Sequence, residues 1–192
     1  MSNRKRDRLC KLVFVLVLST LVTSAAYSQA LNSNTATVSL TATLGESLTV
    51  AATPTAVTFA LVSGGTATGN VPVAVTTTWI LSGSRTSVAL VGYFASATAA
   101  LSNAGPPVVN IPTSEVLGQM TTGTPTTFTA FTQTASPGPV GAGLTLFTVP
   151  ITAANRVFTR TDNLSLQINL TSQPQLPAGT YTGTLNLQAQ AL

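Results

Sequence analysis

Period-two alternation is the feature that most constrains this chain. From Thr35 to Leu44 it is unbroken: Ala36, Val38, Leu40, Ala42 and Leu44 fall on one face, and Thr35, Thr37, Ser39, Thr41 and Thr43 on the other. A strand sends successive side chains to opposite faces, whereas a helix would scatter both sets around its circumference. The pattern returns at Val71, Val73, Val75, Thr77, Trp79 and Leu81, at Leu164, Leu166, Ile168 and Leu170, and at Tyr181, Leu185, Leu187, Ala189 and Ala191. Shorter apolar runs, Ala56 to Leu61, Ser87 to Phe94 and Leu144 to Val149, read as further strands. Val88-Ala89-Leu90-Val91 is apolar on both faces, which predicts a central position in a sheet.

Composition agrees with the pattern. Thr fills about a fifth of residues 31–192, and β-branched side chains suit pleated, half-buried surfaces. Turn chemistry separates the runs at Ser63-Gly64-Gly65, Ser82-Gly83-Ser84, Ser136-Pro137-Gly138-Pro139 and Pro177-Ala178-Gly179. No apolar period of 3.6 follows residue 30. The expected fold is all-β, an antiparallel immunoglobulin-like β-sandwich of about eight to ten strands in one domain over 31–192. An up-and-down barrel is the alternative architecture. Long loops are expected between Asn103 and Gly143, where Gly, Pro and Thr crowd.

Charge divides the chain unevenly. Arg4, Lys5, Arg6, Arg8 and Lys11, with Asp7, carry the whole net charge of +4. An apolar run from Leu12 to Val22 and a small-residue segment ending at Ala30 follow. This three-part pattern predicts a secretory signal peptide over 1–30, a helix cut after Ala30 or Ala26. The run is too short to span a membrane, which takes roughly 20 apolar residues. The remainder carries Arg85, Arg156 and Arg160 against Glu46, Glu115 and Asp162. Its balance gives no reason to expect nucleic acid or a membrane surface as partner, and the expected destination is the periplasm, cell surface or exterior.

Residues 31–192 contain no Cys, Lys or His. Thiol, imidazole and amine nucleophiles, Schiff bases, structural zinc and His-based metal sites are thereby excluded from that region. Glu115 and Asp162 could serve a glycosidase only if folding set them across one bond; they read instead as solvated loop residues. Phosphate-binding glycine loops and calcium loops are missing too. The expectation is a non-enzyme without cofactor or metal.

The ending Leu176-Pro177-Ala178-Gly179-Thr180-Tyr181-Thr182-Gly183-Thr184-Leu185-Asn186-Leu187 resembles the closing strands of the spore coat protein U-like family and of archaic chaperone–usher pilins. The alternating segment after the signal peptide is similar to the donor strand with which such pilins complete a neighbour's sandwich. The resemblance implies that Ala36, Val38, Leu40, Ala42 and Leu44 enter a groove in the next copy. This chain departs from the pilin pattern in having no Cys after residue 30 and no aromatic residue near its end. The other reading of Thr35 to Leu44 is the first strand of a self-contained sandwich.

Trp79 also has two readings. On a secreted sandwich a lone Trp can be a platform for a sugar ring, but Trp79 shares its face with Val73, Val75 and Leu81, which points to the core. The leading expectation is a structural or assembly protein of the bacterial envelope, fimbrial or coat type, that associates with itself or with envelope proteins. The alternative is a monomeric secreted binding module for glycan or protein.

Overall fold

The computed structural model describes residues 31–192; the predicted signal peptide and its helix lie outside the described residues. The chain divides into two units, Met1–Ala42 and Thr43–Leu192. In the first, the described residues 31–42 are exposed and form neither helix nor strand. The second is an antiparallel β-sandwich.

Its strands are β1 (Ser47–Thr53), β2 (Thr66–Thr68), β3 (Val73–Ile80), β4 (Ser87–Tyr93), β5 (Leu101–Asn103), β6 (Asn110–Ile111), β7 (Val116–Met120), β8 (Thr129–Ala130), β9 (Gly143–Pro150), β10 (Val157–Asn169), β11 (Tyr181–Thr182) and β12 (Asn186–Ala191). Seven have five or more residues, and the short ones raise the count above the expected range. One sheet runs β1-β3-β10-β7-β8, with β2 paired to the far end of β10; a second runs β12-β4-β9; a small third runs β11-β5-β6.

Alternation becomes burial where partners exist. Val73, Val75, Thr77 and Trp79 face inward from β3, and Leu164, Leu166 and Ile168 from β10. They meet Leu90, Leu144 and Leu146 of the second sheet in one core. β4 is central in its sheet, as its two-sided run predicts. The register shift between β4 and β9 at Leu90 and Val91 leaves Leu146 as an extra residue on β9, which lets the adjacent Leu146 and Phe147 both join the core. Phe131, fully buried, wedges between the sheets. A Cβ on Gly92 of β4 would stand 3.0 Å from its ring, and one on Gly118 of β7 3.1 Å.

Three expectations change. Thr35 to Leu44 is not the first strand of the sandwich: β1 starts at Ser47, opposite Ile80, the last residue of β3. Residues 31–46 make no backbone–backbone hydrogen bond among the described residues. The stretch Asn103–Gly143 holds more than loops, since β7 lies inside it with Val116 and Met120 buried against β10. The run Tyr181 to Ala191 is two strands in different sheets, parted at Gly183. A Cβ there would collide with the Ala100 carbonyl oxygen.

Candidate functional site

The strand order matches the immunoglobulin arrangement, whose sheets run A-B-E-D and C-F-G. β1, β3, β10 and β7 take the places A, B, E and D; β4 and β12 take C and F; β9 is an added strand beside β4. Among the described residues, no strand occupies the G place beside β12.

A groove of about 970 Å³ opens in that region. Its floor is Leu164, Leu166, Ile168 and Leu170, the inward face of β10 and its continuation. One wall is the arm from Pro54 to Leu61, with Val57, Phe59 and Leu61 half-buried. The other is the approach to β12, from Leu176 through Tyr181 to Leu187. The groove is open to solvent, and its lining combines apolar side chains with polar groups of the two walls. No charged residue lines it.

Each wall has an unpaired stretch of backbone. The run Ala56 to Leu61 forms no ladder despite its alternation, since it bonds to a neighbouring segment only through Thr58, and the sequence expectation of a strand there is corrected. Gly183, Thr184 and Leu185 likewise have no backbone hydrogen-bond partner among the described residues. Bare backbone edges beside an apolar floor are what an added strand needs.

Ala36, Val38, Leu40, Ala42 and Leu44 are all exposed, Val38 at 81% and Leu40 at 91%. Trp79 is wholly buried, its indole N–H donating to the Asn155 carbonyl at 2.8 Å, so no ring face is open for a sugar to stack on. Asp162 is not a solvated loop residue. It is buried on the inward face of β10, where Arg160 and the Thr122 hydroxyl donate to its carboxylate. Glu115 is half-buried at the end of a 3-10 turn, accepting from the Ser172 hydroxyl at 2.5 Å. The two carboxylates are not brought together. Val116, next to Glu115, pairs with Ile168, six residues along β10 from Asp162, or about 20 Å at strand rise, beyond any glycosidase spacing.

The groove itself was not named from the sequence. Its floor was legible as the Leu164 to Leu170 run, which the structure buries in the core, but no local pattern reveals that a groove opens beside it. No cluster of metal-ligating side chains and no helix long and apolar enough to cross a membrane occurs among the described residues. No protein-family model, curated protein or solved structure matches the chain.

Proposed function

We propose that this protein is an exported structural subunit of a bacterial envelope that couples to copies of itself, residues 35–44 of one copy filling the groove of the next. One observation carries the reading: the same chain holds an unpaired apolar groove and an exposed, uncharged segment of strand period. Val38, Leu40 and Leu44 each gain about 1.5–3 kcal/mol from full burial, and main-chain pairing with the bare walls adds to it.

Geometry favours a neighbour's groove over the chain's own. Ser47 lies opposite Ile80, which lies opposite Val157, whereas the groove floor begins at Leu164. Those seven residues of β10 span about 23 Å. Leu44, three residues before Ser47, reaches at most about 11 Å from it. Leu44 of a given copy therefore cannot cover its own floor, and the full set of five residues is usable only between copies.

The test is size-exclusion chromatography and unboiled SDS gels of the exported protein. Ladders of SDS-resistant, heat-labile oligomers are expected, lost when residues 31–44 are deleted or when Leu40→Asp is introduced. A stable monomer whose thermal stability is indifferent to that deletion overturns the proposal.

A further inference from the structure

The arm that forms one groove wall is held in an unusual way. Between β2 and β3 the sequence Gly69-Asn70-Val71-Pro72 interrupts a line of pairing along β10, since Pro72 has no N–H to give. Gly69 still donates its N–H to the Leu166 carbonyl at 2.8 Å. Asn70 turns to the arm instead. Its backbone N–H donates to the Thr58 carbonyl at 3.0 Å, and its side-chain Oδ1 accepts the Thr58 N–H at 3.0 Å. Asn70 thus supplies both halves of the exchange that an antiparallel neighbour would make with Thr58.

Two consequences follow for the arm. In extended chain, the N–H and C=O of one residue point to one edge and those of its neighbours to the other. With Thr58 turned to Asn70, the backbones of Val57 and Phe59 face the opposite edge, and neither has a hydrogen-bond partner among the described residues. Gly69 makes room for this: a Cβ there would lie 2.6 Å from Val57 Cγ1 and 3.4 Å from the Phe59 ring. We infer that Asn70, seated by Gly69, is a positioning residue that holds residues 56–61 as an acceptor edge for the strand of a second copy. The inference rests on the coupling proposed above.

Asn70→Ala removes the Oδ1 acceptor and keeps the backbone bond; Asn70→Asp keeps both. The rate of ladder formation by the exported protein, its Tm, and amide exchange over residues 56–61 are measured for each. Expected for Asn70→Ala is a fall of about tenfold in joining rate, the worth of one hydrogen bond to a preformed edge, with faster exchange at Thr58 and a Tm within a few degrees of wild type. Asn70→Asp restores the rate, and Gly69→Ala, which displaces Val57, reproduces the loss. Wild-type joining in Asn70→Ala overturns the inference and leaves the coupling standing. So does a Tm that falls in step with the rate in Asn70→Ala and Gly69→Ala alike, which marks a purely structural role. A wild-type protein that forms no ladder overturns both.

Discussion

Arg160 and Asp162, two residues apart on β10, share the strand's inward face and form an ion pair inside the sandwich. Arg160 Nη2 donates to Asp162 Oδ1 at 3.0 Å and to the Thr122 carbonyl at 2.8 Å, and the guanidinium lies 4.7 Å from the ring centroid of Phe147 on β9. The pair so joins β10, the loop after β7 and the facing sheet. Breaking it from one side leaves a charge buried without its counterpart. Asp162→Ala is expected to lower stability by about 3–5 kcal/mol, read from urea denaturation. Replacing both together, as Arg160→Met with Asp162→Leu, should cost less than Asp162→Ala. A double variant no more stable than the single one would show that the pair itself supplies the stability.

Trp79 is the one tryptophan of the chain, so its fluorescence reports a single site. Wholly buried beside Phe158, with ring centroids 5.5 Å apart, it should emit in the blue and resist acrylamide quenching until the sandwich unfolds. Trp79→Ala is expected to cost about 3–5 kcal/mol. Trp79→Phe should cost less, losing the bond to Asn155 and part of the volume. Emission like that of free tryptophan in the native protein would contradict this placement.

The carboxyl of Glu46 is held at about 2, against an ordinary 4.5, because Arg85 donates to it and the Ser82 N–H adds a further bond. The folded state thus binds the proton more weakly than the unfolded state. The resulting stability is complete above about pH 4.5 and is lost as pH falls through about 2. Glu46→Gln should flatten the stability curve across that window and leave the neutral limb parallel to wild type. Urea midpoints taken from pH 2 to 6 check it, and equal slopes for the two proteins would refute the assignment.

Gly183 marks the split between β11 and β12. The collision awaiting a Cβ there is with the backbone of Ala100, which no rotamer change relieves, so Gly183→Ala is expected to cost at least about 2 kcal/mol. Gly179→Ala is the control: its Cβ would sit 3.6 Å from Asn103 Nδ2, in ordinary contact, and should leave the urea midpoint nearly unchanged.

What the amino-acid order disclosed depended on whether each apolar face meets a partner in the fold. Val73 to Trp79 and Leu164 to Leu170 read correctly because their alternation is answered by burial against the facing sheet. Ala56 to Leu61 has the same alternation but is bonded to a neighbouring segment only at Thr58, so it does not become a strand. Asp162 misled because a carboxylate among polar neighbours reads as solvated. The signal was nonetheless there: Arg160 and Asp162 keep the parity of Leu164, Leu166 and Ile168, which assigns both to the inward face. Trp79 sat where its apolar companions pointed. The groove was invisible for a different reason, since local periodicity reports which face is apolar and never whether a gap opens beside it.

Phe131 has a further bearing on how this sandwich can change over time. Its ring is moulded between Gly92 and Gly118, contributed by opposite sheets, and meets Phe94 edge-on at 5.3 Å. A methyl group added at either glycine competes with the ring for the same space, while a smaller residue at 131 leaves two glycines facing a void. The three positions behave as one volume divided among distant stretches of chain. Substitutions among them are therefore tolerated in concert, a larger residue at a glycine with a smaller one at 131, and they should be inherited as a set.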